Sequence, residues 1–377
     1  MIQPGATLGL VGGGQLGRMF TQAAQRMGFE VVVLDPDPMS PAGRLATRHL
    51  RAAYTDEAAL TELGRSVSAV TTEFENVPAA SLAFLRDFCP VRPGPEAVMV
   101  TQDRIAEKRF AQARGLETAP FAPVLAASDA AAAMAAIGSP ALLKTAQLGY
   151  DGKGQAAVGG IDEVVQAFER FGGQPCVLER RLQLELEISV VLTRGEDGRT
   201  VTFPVGENRH VNGILDTTVV PARIPAALAR EACAAAVALA TTMEYVGTMA
   251  VEFFVAGGGQ LLVNEMAPRP HNSGHYSLDA CATDQFEQQV RALAGLPLGD
   301  AALLSPVTMV NLLGDLWARG EPRWDRALAD PLVHLHLYGK SEPRPGRKMG
   351  HINALGATAE EALQRALAAR TRLTPSD

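Results

Sequence analysis

Residues 249–269 read MAVEFFVAGGGQLLVNEMAPR, and this stretch decides the fold. Two apolar segments flank a run of glycines, which is the pattern of two strands joined by a tight hairpin. If Gly258 and Gly259 form a two-residue turn, the side chains of Glu252 and Glu265 lie directly opposite each other. Like charges repel in such a pair, so the pattern favours a cation between the carboxylates, and hard oxygen ligands suit Mg²⁺. An edge hairpin with both glutamates in solvent fits the same sequence.

Composition is typical of a globular enzyme. The 377 residues are too many for one ordinary domain, so two or three are expected. The chain is 47% hydrophobic and 20% charged with a net charge of −7, which argues against nucleic acid as a partner. There is no apolar stretch long enough for a membrane span and no signal-peptide pattern. The scattered cysteines lack a Cys-x-x-Cys pair, so we expect free thiols and a cytoplasmic location. These cysteines are Cys89, Cys176, Cys233 and Cys281.

The chain up to about residue 103 alternates predicted strands and helices. The first strand is Thr7 to Val11, a helix runs from about Gln15 to Met27, and Val31 to Leu34 and Ala69 to Thr72 are further strands. This alternation is typical of a doubly wound parallel sheet.

A glycine loop, Gly12 to Gly17, joins the first predicted strand to the first helix. It fits Gly-x-Gly-x-x-Gly, and Asp35 ends the next strand at the distance from which a ribose is bound. Alone, this fingerprint predicts an NAD enzyme. The alternative is a phosphate or substrate turn at a helix N-terminus.

The rest of the chain mixes strands and helices differently. A charged helix is predicted from Asp103 to Arg114 and a long alanine-rich helix from about Pro225 to Met243, just before the glutamate hairpin. After Pro297 a small C-terminal module combines short strands with a last helix near Ala359 to Ala368.

Several polar segments are candidates for a nucleotide and anion site. The glycines of the segment Gly149 to Gly154 let backbone N–H groups approach phosphates, although an exposed hairpin tip fits equally well. Lys144 precedes it, and the strand-end residues Glu179 and Glu187 could bind an adenosine. Two further clusters carry anion-binding side chains: Arg269, His271, Asn272 and His275, and then Lys340, Arg344, Arg347 and Lys348.

Five stretches give the chain a family resemblance that covers essentially its whole length. They are Gly12 to Met19, Gly149 to Gln155, Asn264 to His275, Pro331 to His336 and Arg344 to His351. The chain resembles the ATP-grasp family and, more narrowly, the 5-(carboxyamino)imidazole ribonucleotide synthetases of purine biosynthesis. Related carboxylate–amine ligases share the two glutamates but not the Arg-Pro-His-Asn-Ser-Gly-His run.

The resemblance implies an α/β and α+β multidomain architecture built on the ATP-grasp fold. A Rossmann-like domain would span residues 1–103, and the ATP-grasp domain would span residues 104–298 with a smaller lid subdomain at about 104–183. A small C-terminal domain would span residues 299–377. The resemblance also implies a homodimer.

The implied activity is that of a C–N ligase that carboxylates 5-aminoimidazole ribonucleotide with bicarbonate and ATP, through carboxyphosphate. The resemblance places Mg²⁺ on Glu252 and Glu265. It implies catalytic roles for Asp151, Lys153, Arg269 and His271. It assigns ATP binding to Arg104, Lys144, Gly149, Tyr150, Asp151, Gly152, Lys153, Gly154, Gln155, Glu179, Arg180, Arg181, Leu182, Glu187, His210, Asn264 and Glu265. It assigns substrate binding to Gln15, Leu16, Tyr150, Asp151, Arg269, His271, Asn272, Lys340 and Arg347.

Three other functions are compatible with parts of the sequence. One is another ATP-grasp ligase, for example one that uses formate and a glycinamide ribonucleotide; the histidine-containing run argues against it. The second is an NAD-dependent oxidoreductase built on the glycine loop. The third is a non-catalytic nucleotide-binding regulator, which the intact glutamates and lysines argue against.

Overall fold

The computed structural model describes residues 1–149 and 154–374, and these form three sheets. No helix within this part of the chain is both long and apolar enough to cross a bilayer.

The first sheet has four strands in the order β3-β2-β1-β4, all parallel. Helices connect β1 to β2 and β3 to β4, and the predicted doubly wound parallel sheet is confirmed. The strands are β1 (Thr7–Val11), β2 (Glu30–Leu34), β3 (Arg48–Leu50) and β4 (Val70–Thr72). The helices are α1 (Gln15–Arg26), α2 (Glu57–Ser66), α3 (Ala79–Leu85), α4 (Pro95–Thr101) and α5 (Arg104–Gln112).

The second sheet is antiparallel and carries its helices over an apolar face. Leu143 and Leu178 on the strands pack with Ile137 and Phe168 on the helices. Its order is β5-β8-β6-β7. The elements are β5 (Phe121–Val124), α6 (Ala130–Ile137), β6 (Ala141–Thr145), β7 (Gln155–Val158), α7 (Ile161–Arg170) and β8 (Cys176–Arg180).

The third sheet has nine antiparallel strands, and it includes the strands that follow Pro297. The C-terminal segment therefore extends an existing sheet. The first elements are β9 (Leu184–Arg194), β10 (Thr200–Thr202), β11 (Gly206–Val211), β12 (Ile214–Val220), α8 (Ala226–Thr242), β13 (Gly247–Ala256) and β14 (Gln260–Ala267). The last are α9 (Ser277–Ala280), α10 (Gln285–Ala294), β15 (Val307–Leu313), α11 (Trp324–Ala327), β16 (Val333–Leu337), β17 (Lys348–Leu355) and α12 (Ala359–Leu373). The order is β14-β13-β9-β11-β12-β15-β17-β16, with β10 paired to β9.

Helix α10 packs against the N-terminal sheet although it lies far from it in sequence. Phe286 and Leu293 are buried in one core cluster with Phe20 and Val33. The guanidinium of Arg92 donates to the carbonyl of Leu293 at 2.7 Å, which adds a polar link. The N-terminal part and the ATP-grasp part therefore share a core, and this fixes the first sheet against the hairpin that carries the glutamates.

Candidate active site

The hairpin with the two glutamates has the predicted pairing but not the predicted turn. Glu252 on β13 lies directly opposite Glu265 on β14. The turn contains three residues, since Ala256 pairs with Gln260. A β-bulge next to Glu252 absorbs the extra residue, because Asn264 stands between two paired positions and shifts the register back by one. The prediction that the two carboxylates face each other is confirmed. A three-residue turn and a bulge produce this pairing, and the sequence indicated neither of them.

The surroundings of the two carboxylates fit a hard cation. Glu252 is 8% exposed, and burial together with the charge of Glu265 raises its pKa. The adjacent Oδ1 atom of Asn264 is buried, with no hydrogen-bond partner in the described part of the chain. A cation would satisfy this oxygen and relieve the carboxylate repulsion. Residues 1–149 and 154–374 contain no metal-binding group of three or more His, Cys, Asp or Glu, so water or phosphate oxygens would complete the shell, as they do for Mg²⁺.

Two cationic side chains lie near this acidic pair. The guanidinium of Arg104 donates to Glu265 Oε2 at 3.0 Å. Lys144 Nζ donates to Glu179 Oε2 at 2.7 Å. Burial would raise the pKa of Glu179, but Lys144 and Lys108 outweigh burial and lower it to about 2. Arg104 and Lys144 therefore bring positive charge close to the acidic pair, and their contacts with nucleotide phosphates stay predictions.

A cavity of about 750 Å³ brings most of the predicted site residues together, a volume typical of small-molecule sites. Residues from all three sheets and their loops line it. The predicted residues among them are Gln15, Leu16, Arg104, Lys144, Gly149, Gly154, Gln155, Glu187, His210, Glu252, Asn264, Glu265, Arg269, His271, Asn272 and Lys340.

Other predicted residues do not line this cavity. Glu179 is buried behind Lys144, and the guanidinium of Arg347 donates to the carbonyl of Glu342 at 2.9 Å. Outside the cavity lining are also Arg180, Arg181 and Leu182. Predictions for Tyr150, Asp151, Gly152 and Lys153 concern positions outside the described residues. The ligand roles of all these residues stay predictions.

His210 forms an ion pair at the edge of the cavity. Its Nδ1 lies 2.9 Å from Glu187 Oε2 on the neighbouring part of the sheet. Burial would lower the pKa of His210, but Glu187 and Glu252 outweigh burial and raise it to about 9. The imidazole is therefore positively charged at neutral pH and offsets part of the negative charge of the glutamates.

The segment after β14 carries Arg269 and His271 into the cavity. Arg269 makes a two-point ion pair with Glu75, in which Nη2 donates to Oε1 at 3.1 Å. The backbone N–H of Ser273 donates to His271 Nδ1 at 3.3 Å, so Nδ1 is an acceptor and Nε2 carries the proton. Burial and the charge of Arg269 lower the pKa of His271, which is neutral at pH 7. The ring can therefore donate one hydrogen bond through Nε2.

Asn272 lines the cavity but uses its amide within the protein. Its Nδ2 donates to Asn311 Oδ1 at 3.0 Å, and Asn311 Nδ2 donates to its Oδ1 at 2.7 Å. This reciprocal pair fixes the segment after β14 against β15. A substrate contact for Asn272 stays a prediction.

The backbone N–H groups of the glycine loop in the first sheet already donate hydrogen bonds to carboxylates of the protein itself. The N–H of Gly13 donates to Asp35 Oδ2 at 2.7 Å. The N–H groups of Gly14 and Gly17 donate to the two carboxylate oxygens of Glu73, the second at 2.7 Å. A Cβ atom on Gly14 would overlap the Glu73 carboxylate, so a larger residue here would displace that carboxylate. The groups that would bind a dinucleotide pyrophosphate are occupied, which argues against the NAD interpretation.

Glu73 and Glu75 line the cavity although no role is predicted for them from the sequence, whereas Lys348 belongs to the predicted basic cluster. The two glutamates directly follow β4, at the carboxyl edge of a parallel sheet, where ligands bind in such folds. That rule could have identified both from the sequence. Lys348 lies beside Lys340, whose Nζ donates to Gln15 Oε1 and to the Lys348 carbonyl, each at 2.7 Å.

Three family models match successive parts of the chain. The ribonucleotide synthetase preATP-grasp domain matches residues 5–102, and the ATP-grasp domain matches residues 109–286. The phosphoribosylaminoimidazole carboxylase C-terminal domain matches residues 307–365.

Named proteins match over nearly the whole length. The N5-carboxyaminoimidazole ribonucleotide synthase of Brucella melitensis is 43% identical over 356 residues, which cover 94% of this chain and 97% of that protein. The chain belongs to the N5-carboxyaminoimidazole ribonucleotide synthase family. The synthase of Bacillus subtilis agrees, with 42% identity over 364 residues that cover 97% of this chain and 95% of that protein.

Solved structures of this synthase family have the same fold. The ADP complex of an N5-carboxyaminoimidazole ribonucleotide synthetase has a TM-score of 0.92 at 42% identity and covers 98% of this chain and 97% of that chain. The Aspergillus clavatus N5-carboxyaminoimidazole synthase in complex with ADP and 5-aminoimidazole ribonucleotide has a TM-score of 0.89 at 27% identity, covering 97% and 99%. The predicted family, fold class, ligase class and reaction are confirmed.

Proposed function

We propose that the cavity is the site where ATP, bicarbonate and 5-aminoimidazole ribonucleotide react to give 5-(carboxyamino)imidazole ribonucleotide, ADP and phosphate. The observation that carries this proposal is the facing pair Glu252 and Glu265, with the unsatisfied Asn264 oxygen beside them. A cation site of this kind, next to Arg104 and Lys144, suits a reaction that transfers a phosphoryl group.

Glu252, Glu265 and Asn264 would hold Mg²⁺. When bound, the ion would neutralise the negative charge that ATP brings into the cavity. The same charge balance explains why the buried Glu252 and the half-buried Glu265 can face each other in otherwise apolar strands.

Arg104 and Lys144 would bind the ATP phosphates, while Glu187 would bind the ribose. Bicarbonate is a poor electrophile, so its oxygen first attacks the γ-phosphorus of ATP, and carboxyphosphate and ADP are formed. The exocyclic amine then attacks the carboxyl carbon, directly or as released CO₂, phosphate leaves, and the amine gives up a proton. Asp151 and Lys153 remain candidates for this last stage.

Arg269 and His271 would orient the acceptor. Arg269 lies in the cavity with its charge matched by Glu75, and His271 offers a neutral N–H donor. Lys340 and Lys348, which also line the cavity, would attract the ribonucleotide phosphate. Exclusion of bulk water from the loaded cavity would protect carboxyphosphate from hydrolysis.

The direct test is ADP release from Mg·ATP while bicarbonate and 5-aminoimidazole ribonucleotide are varied. We expect release that depends on the ribonucleotide and is matched by carboxylated product. Formate with a glycinamide ribonucleotide serves as the control pair and should give no release above background. ADP release that is indifferent to 5-aminoimidazole ribonucleotide would contradict the proposed substrate.

We also expect a homodimer and a cytoplasmic location, on the strength of the family resemblance. Light scattering of the purified protein tests the first expectation, since a homodimer has twice the chain mass of 39.8 kDa. A mass equal to one chain at micromolar concentration would contradict it.

A further inference from the structure

Lys108 is a buried lysine that has no place in the proposed chemistry. It lies on α5 and is 1% exposed. Its Nζ atom is 3.2 Å from Glu179 Oε1, without the alignment of a hydrogen bond, and 6.0 Å from the centre of the Phe121 ring. Keeping an ammonium group out of water is costly, so a buried lysine that is ion-paired with Glu179 in the described part of the chain calls for a role.

Glu179 is shared by two lysines. Its Oε2 accepts from Lys144 at 2.7 Å, while its Oε1 faces Lys108. Lys144 also lines the cavity, whereas Glu179 and Lys108 lie behind it. The carboxylate is therefore a common partner of one lysine that can reach a ligand and one that cannot.

We propose that Lys108 is a positioning residue for Lys144: it is the permanent countercharge of Glu179 that lets Lys144 turn to the ATP phosphates. This inference rests on the proposed role of Lys144 in binding ATP.

The physical reason is competition for one buried carboxylate. Without Lys108, moving Lys144 to a phosphate leaves Glu179 charged, buried and without a paired lysine, which is strongly unfavourable. With Lys108 in place, Glu179 keeps one positive partner. Breaking the ion pair between Glu179 and Lys144 therefore costs less free energy. Arg104 adds positive charge nearby but is already paired with Glu265.

The test is a double-mutant cycle of Lys108 and Glu179 in the full chain, in which the KM for ATP is measured. We expect Lys108→Met to raise this KM by about fivefold or more, with the KM for 5-aminoimidazole ribonucleotide unchanged. In the Glu179→Gln background the same change should have little effect, because the carboxylate that competes for Lys144 is gone. Lys108→Arg, which keeps the charge, should restore the KM for ATP. An equal rise in both backgrounds would overturn the proposal.

Controls separate this inference from the proposed function. Lys144→Met should itself raise the KM for ATP; if it does not, the proposed role of Lys144 fails. If Lys144→Met behaves as expected but the cycle is additive, only the role of Lys108 fails. Arg109→Met removes an exposed cation from the same helix and should change neither KM. If Lys108→Met does not fold, Lys108→Gln replaces it, with Lys108→Arg still the charge-keeping comparison.

Discussion

At the scale of single residues, Glu252 serves binding at the expense of stability. It is buried opposite a second carboxylate, so the protein without metal keeps the part of their repulsion that Arg104 and His210 do not offset. We expect Glu252→Gln to stabilise the metal-free protein by roughly 1 kcal/mol, because a neutral amide replaces one of two like charges. Thermal unfolding in EDTA at pH 8 measures this change.

The same substitution should lower kcat by roughly 100-fold or more, since a bound metal ion supplies several kcal/mol of charge stabilisation. The measurement is ADP release at saturating Mg·ATP. Glu231→Gln, an exposed glutamate on α8, is the matched control and should alter neither stability nor rate. A Glu252→Gln enzyme with normal kcat would exclude this carboxylate from the metal site.

Residues with strong local signals could be predicted, and those that depend on distant contacts could not. Glu252 and Glu265 stand out because charge is rare inside apolar strands. The partnership of Arg269 with Glu75 joins positions far apart in sequence, and no local pattern encodes it. Likewise, no local pattern predicts the amide pair that Asn272 forms with Asn311.

At the scale of elements, the glycine loop between β1 and α1 is a closed structure. Its N–H groups are held by Asp35 and Glu73, so a pyrophosphate would have to displace buried carboxylates. We expect millimolar NAD to leave Tm unchanged. Mg·ATP at 100 times its Kd should stabilise the fold by about 2.7 kcal/mol, a rise of several degrees.

Differential scanning fluorimetry with each nucleotide measures these shifts, and AMP without Mg²⁺ serves as a weak-binding control. A rise in Tm with NAD comparable to that with Mg·ATP would restore the oxidoreductase interpretation.

The elements themselves were largely predictable, because their hydrophobic periodicity is strong. The predicted strand Thr7 to Val11 has the observed bounds, and the predicted strand Val31 to Leu34 begins one residue too late. The last helix was predicted too short, since it continues to Leu373. The continuation of the third sheet into the C-terminal segment was missed, because strand order depends on long-range pairing that short windows do not contain.

A group of histidines between the third sheet and the segment after β14 makes stability depend on pH. His275 and His351 are fully buried with ring centres 4.9 Å apart, close to His336 and Tyr338. Burial, together with neighbouring positive charge, lowers the pKa of His275 and His351 far below the ordinary value. Below about pH 6.5 these histidines therefore bind protons in the unfolded chain but not in the folded chain, and the free energy of unfolding falls.

We expect the free energy of unfolding to fall as pH drops from 6.5 to 5. Each such histidine contributes up to about 1.4 kcal/mol per pH unit. His351→Gln should be less stable at pH 7.5 but show a shallower slope, since one of the two buried rings is removed. Urea unfolding at several pH values measures the slope. His334→Gln, at a half-buried position beside Asp279, is the control, and an unchanged slope in His351→Gln would contradict the prediction.

At the scale of the whole molecule, the core of the N-terminal sheet is completed by residues from a distant part of the chain. Phe286 and Leu293 of α10 complete it, and the backbone N–H of Ile2 donates to the carbonyl of Ala294 at 2.7 Å. We therefore expect the metal-free protein to unfold in one cooperative transition, and a fragment of residues 1–103 to lack a sharp one. Calorimetry of both tests this.

The full chain should give equal calorimetric and van't Hoff enthalpies. A fragment of residues 1–103 that melts cooperatively at the temperature of the full chain would show that the first domain is independent after all. A longer fragment ending after α10 is the matched comparison, since it restores the missing side of the core.

Asn264 has no residue paired opposite it in the hairpin, and this restricts where the segment can change in length. Successive side chains of a strand point to opposite faces. A glycine gained or lost within the turn lies outside the paired residues Ala256 and Gln260, so Glu265 stays opposite Glu252. One residue inserted between Gln260 and Val263 would instead form a second bulge or turn Glu265 to the other face. Relatives that differ in length here, and engineered loops, should therefore place the change within the turn.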